Sequence, residues 1–193
     1  MYNGSIRLTI SKGGCIPLYF RKPQSGDYPA QFETYIKIAP EGNLNELLCA
    51  QEEEILACFR SCGEEQSMFR YQEDKWSGKE VLGHIMDTER IMCYRLLCAS
   101  RGDKTPLPRH QDMYVSRTNF DRRPLVDLLE EYRTVRSSTR ALVKGLTEEE
   151  LSRSGVIIQD KTTATALVYF ILGHAAHHLH VFRERYMSHL SQI

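Results

Sequence analysis

The sequence lacks any long apolar segment. Its longest apolar run, residues 166–173, is far shorter than the roughly 20 residues that a transmembrane helix needs. Residues 1–14 contain no uninterrupted apolar stretch of the kind found in secretory signals. We therefore expect a protein without membrane-spanning helices and without an export signal, located in the cytoplasm.

An excess of charge of either sign is also missing, because 25 Lys and Arg residues are matched by 25 Asp and Glu residues. A neutral chain produces no overall field that would attract nucleic acid or an anionic membrane, so neither is expected as a partner. Apolar residues make up 41% of the 193 residues and charged residues 26%. These values are typical of one globular, soluble domain.

The cysteines lack the spacing of a structural metal site or a disulfide framework. None of the six belongs to a C-x-x-C pair. Most fall inside segments with a helical pattern, where thiols are typically buried and inert. We expect reduced, buried cysteines in a reducing compartment. They are Cys15, Cys49, Cys58, Cys62, Cys93 and Cys98.

What the sequence does contain is a series of helical patterns that begins after an unpatterned arm. Residues 1–42 show no helical period and contain four prolines, which predicts an irregular arm with at most one short strand, over residues 6–10. From residue 43 onward, apolar residues recur at helical spacing. Capping boxes at Ser77 and Thr147 mark two helix starts.

Four long helices and a crossover loop follow from these patterns. The predicted helices cover residues 44–62, 77–102, 124–145 and 164–187, with a short helical segment at 147–150. The long connection over 103–123 has room for a short helix at 112–118, and connections of this length often carry function. The patterns predict an all-α fold, a four-helix bundle over residues 43–193.

Four of the seven histidines lie in the segment 173–180. His174 and His178 are four residues apart, about 40° around a helix axis, so their imidazoles can converge on one point. They share the core-facing stripe of the last helix, whereas His177 and His180 belong to the flanking row. An unsatisfied buried nitrogen costs roughly 1–3 kcal/mol, and a divalent metal ion would satisfy both rings. The pair alone is weak evidence for a metal site, because hydrogen-bonded core or surface histidines also show this spacing, so a third ligand is needed.

The second long helix supplies a candidate third ligand, His84. Facing helices of a bundle can bring it to the histidine pair. Three imidazoles leave at least one coordination position open, which is typical of a catalytic rather than a structural site. Asp87, about one turn after His84, has two open readings. It either accepts a hydrogen bond from a ligand imidazole or pairs with Arg90 on its own helix.

These segments resemble the DinB/YfiT-like superfamily of metalloenzymes. The resemblance rests on WSGKEVLGHIMDTER at residues 76–90, GHAAHH at 173–178 and RERY at 183–186, and it spans about residues 24–188. It implies a four-helix bundle that holds zinc, nickel or a similar ion with three histidines, which correspond here to His84, His174 and His178. Relatives include enzymes that use low-molecular-weight thiols for transfer or isomerisation, and others described as metal-dependent hydrolases.

Three functions follow as hypotheses. The first is a divalent-metal-dependent S-transferase that takes a small-molecule substrate and a low-molecular-weight thiol, and it rests on the resemblance alone. The second is a metal-dependent hydrolase that uses water, for which Asp87, Glu89 and His110 are candidate general acids or bases. The third is a non-catalytic metal-binding or sensor module whose exposed faces form a homodimer or meet another partner.

Overall fold

The computed structural model describes residues 21–106, 113–157 and 159–188. Within these ranges the helices are α1 (Glu33–Ile38), α2 (Leu44–Cys62), α3 (Gly78–Ser100), α4 (Leu125–Lys144), α5 (Glu148–Ser152) and α6 (Ala164–Phe182). The strands are β1 (Ser154–Ile157) and β2 (Asp160–Thr163). The last helix, α6, continues into one π-helical turn, Arg183–Met187.

The predicted four-helix bundle is confirmed, with α2, α3, α4 and α6 as its long helices. The capping boxes explain why two of the boundaries were predictable. At the start of α3, the Ser77 hydroxyl accepts a bond from the Glu80 amide, and the Glu80 carboxylate accepts one from the Ser77 amide. Thr147 and Glu150 form the same reciprocal pair at the start of α5.

The most deeply buried helix is α6, whose residues Ala164 to Ala175 are all buried. A helix that is apolar on every side must be covered on every side, and α6 packs against α3, α1 and α2. No helix in the described part of the chain has both the length and the apolar character required to cross a membrane. The histidine segment therefore lies at the end of a helix that runs through the core.

The prediction of an irregular arm over residues 1–42 is wrong where α1 lies. Phe32, Ile36 and Ala39 are at most 1% exposed and join the core around α6. Burial of this apolar face stabilises a six-residue helix that would not form alone. Residues 1–20, including the predicted strand over 6–10, lie outside the described residues. The division of the chain at residue 42 stays a prediction.

A two-stranded hairpin precedes α6 and was not predicted. β1 and β2 are antiparallel, with Ser154 opposite Thr163 and Ile157 opposite Asp160. Thr163 connects three elements, because its amide donates to the Asp27 carbonyl at 2.8 Å and its hydroxyl caps α6. The hairpin therefore fixes the start of α6 against the chain segment before α1.

The connection between α3 and α4 contains less helix than predicted. Where a short helix was expected at 112–118, the structure has a 3-10 turn at Val115–Arg117, and Asp112 lies outside the described residues. A second such turn follows at Phe120–Arg122. Phe120 is buried against α3, where Gly83 leaves room for its ring because a Cβ there would lie 2.4 Å from it.

The cysteines of the described residues are free, but most are less buried than predicted. Only Cys62 is buried, and burial raises the pKa of its thiol to about 11. The other four are half-buried, so the prediction of buried thiols is wrong for Cys49, Cys58, Cys93 and Cys98. Cys15 lies outside the described residues.

Candidate metal centre

Three histidines from two helices meet inside the bundle. His84 lies near the start of α3, and His174 and His178 lie one turn apart on α6. One ring nitrogen of each lies within 4.8 Å of the others. The Nε2 atoms of His84 and His174 are 3.0 Å apart, and the His178 ring centroid is 4.7 Å from that of His84 and 4.5 Å from that of His174. The structure thus brings together the three residues that the sequence selected. We refer to them as the histidine cluster.

Two of the three imidazoles are almost fully buried, and burial also changes the protonation of the third. His84 is 3% exposed and His174 is 4% exposed. Burial, together with the neighbouring His84 and His177, lowers the pKa of His178 to about 3. A neutral imidazole offers a nitrogen lone pair, the form in which histidine binds metals. Three such nitrogens suit zinc or nickel and leave a coordination position open. The residues present therefore fit a divalent ion.

Helix α1 forms one wall of the histidine cluster. Its backbone approaches α6 so closely that a Cβ on Gly173 would lie 1.9 Å from the Tyr35 carbonyl oxygen, so only glycine fits there. The Tyr35 ring lies 5.4 Å from the His174 ring and 5.5 Å from the His177 ring. The end of α1 is held by Lys22, whose ammonium donates to the carbonyls of residues 37 and 39 at 2.9 and 2.7 Å.

Sequence reasoning missed Tyr35 entirely. The available signal was the helical spacing of Phe32, Ile36 and Ala39 between two prolines, together with a glycine inside an otherwise bulky apolar helix. Both features indicate that another segment packs closely on Gly173.

Trp76 covers a second side of the cluster. Its ring lies 4.7 Å from the His84 ring and 6.4 Å from the His178 ring. The Tyr186 hydroxyl donates to the Trp76 carbonyl at 2.7 Å, which ties this loop to the end of α6. Trp76 also lines a cavity of about 440 Å³ that reaches His178 and His177. We refer to it as the tryptophan pocket. Val81, in the first turn of α3, lines the same pocket.

Asp87 carries an ion pair with Arg90, whose guanidinium lies 3.3 Å from the carboxylate. Burial raises the pKa of Asp87, and the positive charge of Arg90 partly offsets the rise. The sequence left this pairing open as the alternative to a bond with a ligand imidazole. The role of Asp87 beside a metal ligand stays a prediction.

Glu89, another candidate acid or base, does not line the tryptophan pocket. Glu89 lies in the bundle interior, where the Arg136 guanidinium donates to it at 2.8 Å. Its side chain is 2% exposed, so it cannot exchange protons readily with a substrate from solution. His110 lies outside the described residues.

Comparison with known proteins agrees with this architecture. The family model of the DinB superfamily matches residues 47–182, a range that contains all three histidines. None of the curated proteins matches the chain. Among solved structures, the fold is similar to that of YfiT from Bacillus subtilis, a probable metal-dependent hydrolase with an unusual four-helix bundle topology. The TM-score is 0.64 at 16% sequence identity, over 90% of this chain and 95% of YfiT. The extent of the family match shows that this chain belongs to the DinB superfamily.

Proposed function

We propose that this protein is a metal-dependent hydrolase of small molecules, with one divalent ion held by His84, His174 and His178. The observation that carries the proposal is the convergence of three ring nitrogens within 4.8 Å at a largely buried position. The likeness of the fold to YfiT supports hydrolysis as the reaction.

A divalent ion bound by three imidazoles lowers the pKa of a water or thiol at its open position and polarises a carbonyl oxygen. The chain's own residues supply the setting. The histidine cluster delivers three ring nitrogens that converge on one point, and burial disfavours the protonated form of His178. Tyr35 and Trp76 hold the rings of His174 and His84 from two sides and exclude water from them. The tryptophan pocket gives a substrate access next to His178.

Thiol transfer is the second candidate. A cavity of about 440 Å³ beside His178 has room for a small thiol together with an electrophile. The two reactions differ in one requirement, because transfer needs an added thiol and hydrolysis does not.

The test measures turnover of an ester, nitrophenyl acetate, and of an electrophile, chlorodinitrobenzene, with and without a panel of small thiols. Zinc-loaded wild type is compared with His84→Ala and with His180→Ala, in which an exposed histidine of the same helix is removed. Thiol-independent ester hydrolysis that disappears only in His84→Ala supports the hydrolase. Thiol-dependent conjugation that disappears only in His84→Ala supports the transferase. Activity that survives in metal-free His84→Ala overturns both.

A further inference from the structure

We infer that the tryptophan pocket binds an aromatic group of the substrate, so that the proposed enzyme acts on uncharged aryl esters or anilides. The reaction in this inference rests on the proposed function. The substrate class is inferred from the residues that line the pocket. Three aromatic side chains line the pocket: Tyr71, Trp76 and Tyr186. Val81 and Val181 complete its apolar surface. Flat apolar groups gain from such walls through burial and ring contacts.

The aromatic walls are held in place before any ligand binds. Tyr186 is 2% exposed, and its hydroxyl is fixed on the Trp76 carbonyl. Tyr71 stands edge-on to Tyr186 with ring centroids 5.2 Å apart at 86°. Ligand binding to a preformed pocket loses less free energy to the ordering of side chains. The cavity of about 440 Å³ is also the size of pockets that enclose small organic molecules.

The charged side chains that line the pocket are not arranged to bind a charged ligand. Asp74 and Lys75 line it, but they form an ion pair with each other at 2.8 Å, and both are well exposed. Neither is therefore a dedicated partner for a ligand charge. A substrate carboxylate placed between Tyr71, Trp76 and Tyr186 would lose water without gaining an opposite charge from these rings.

The position of Trp76 relates the aromatic site to the chemistry. Its ring contacts the His84 ring at 4.7 Å, and His178 lines the same pocket. A ligand ring placed against Trp76 therefore has its substituent within a few ångströms of the histidine cluster. An ester or amide group attached directly to that ring would therefore lie at the histidine cluster. A long spacer between the ring and this group would place the group beyond the cluster.

Trp76 also provides the measurement, because it is the only tryptophan of the chain. Its fluorescence is titrated with acetanilide, with N-cyclohexylacetamide, which keeps the amide but replaces the flat ring, and with N-methylacetamide, which has no ring. The titrations use zinc-loaded and metal-depleted wild type. We expect a saturable change with acetanilide at a Kd at least fivefold below that of the cyclohexyl compound, and no saturation with N-methylacetamide. Equal Kd values for the two ring compounds, or no saturation with acetanilide, overturn the inference.

Two variants locate the site. Tyr71→Leu removes one aromatic wall from a half-buried position and should weaken acetanilide binding at least fivefold. The matched control is Tyr94→Leu, which makes the same change at a tyrosine that is 57% exposed and lines a different groove, and it should change the Kd less than twofold. Val181→Phe fills the pocket and should abolish binding. Folding of each variant is checked by circular dichroism. If folded Tyr71→Leu and Val181→Phe both bind acetanilide like wild type, the inference is wrong.

Metal content separates this inference from the proposed function. If metal-depleted protein binds acetanilide selectively but no zinc-dependent turnover occurs, the pocket stands and the proposed function fails. If zinc-dependent hydrolysis occurs but acetanilide does not bind, the proposed function stands and the aromatic site fails.

Discussion

Two polar centres lie inside the same bundle, and they are built in opposite ways. The first is the histidine cluster. The second, which we call the arginine centre, consists of Gln51, Glu89 and Arg136. The Arg136 side chain is fully buried and donates two bonds to one oxygen of Glu89, at 3.1 and 2.8 Å. It also donates to the Gln51 side-chain oxygen at 3.0 Å. The Gln51 amide in turn donates to the Leu172 carbonyl on α6 at 2.8 Å.

The two centres differ in how the surrounding charges shift the pKa of their buried groups. Burial alone would lower the pKa of Arg136, but the Glu89 carboxylate, with smaller contributions from Tyr132 and Glu52, outweighs burial and raises it. For His178, burial and the neighbouring histidines act in the same direction and lower the pKa. The arginine centre is thus an opposite-charge pair completed within the chain. The histidine cluster gathers three groups of one kind, and such a set fits a cation supplied from outside. A buried centre whose charges are paired within the chain stabilises the fold. A buried centre that consists of three nitrogen donors is instead suited to binding a metal ion.

The largest effect is expected when the arginine centre is broken on one side. Arg136→Met leaves the Glu89 carboxylate buried without its counter-charge, and the other oxygen of Glu89 has no hydrogen-bond partner among the described residues. Breaking a buried pair in this way typically costs about 3–5 kcal/mol. We expect a loss of that size in the free energy of unfolding, measured by urea denaturation of metal-depleted protein.

The control is the double variant Glu89→Leu with Arg136→Met, which replaces the pair by apolar side chains. It should recover most of the loss, because no unpaired charge remains. If the free energy of unfolding of the single variant Arg136→Met lies within about 1 kcal/mol of the wild-type value, the pair contributes no more than an exposed surface pair. That result would contradict the contrast between the two centres.

The next effect concerns the histidine cluster and should appear in binding rather than folding. His174→Ala removes one donor of three, and the zinc affinity should fall at least about a hundredfold, equivalent to roughly 2.7 kcal/mol. Competition with a chelating dye measures this affinity. The same change should cost metal-depleted protein no more than about 2 kcal/mol of unfolding free energy. Retention of wild-type affinity in His174→Ala would exclude His174 as a ligand.

Much of the histidine cluster could be predicted because helical spacing is local. The four-residue interval between His174 and His178 places both rings on one face, and the Ser77 capping box fixes the start of α3 before His84. The family resemblance pointed to the same three residues. Which face of α6 lies inside was less clear from sequence, because α6 is buried almost all round in its first three turns.

The features that were missed depend on contacts between distant segments. The helix α1 has only six residues, and its stability comes from packing on α6 rather than from its own pattern. The burial of Arg136 depends on Glu89, 47 residues earlier in the chain. Residue spacing alone does not reveal either partner, so the wall formed by Tyr35 and the arginine centre needed the structure.

A smaller effect should appear when metal-depleted protein is acidified. In the unfolded chain His178 binds a proton near pH 6.5, whereas in the folded chain its pKa is about 3. Between these values only the unfolded state takes up the proton, so the free energy of unfolding falls as the pH falls. The loss attributable to His178 is about 2 kcal/mol between pH 7 and pH 5.

Urea denaturation over that pH range tests this effect, with His178→Gln as the variant that cannot titrate. Its stability should depend less steeply on pH than that of wild type. Identical slopes for the two proteins would show that His178 is not held neutral by its surroundings.

The smallest effect is expected at His177, which separates the histidine cluster from its neighbours on the same helix. His177 is half-buried and its ring lies 5.0 Å from that of His178, but its nitrogens are not part of the converging set. His177→Ala should therefore change the zinc affinity by less than about twofold, measured by the same dye competition as for His174→Ala. The contrast between these two changes is decisive, because each removes one imidazole from the same helix segment and only the direction of the side chain differs. A loss of zinc in His177→Ala as complete as in His174→Ala would mean that α6 presents a different face to the ion. His177 would then be a ligand of the ion, and the set of three histidines would be wrong.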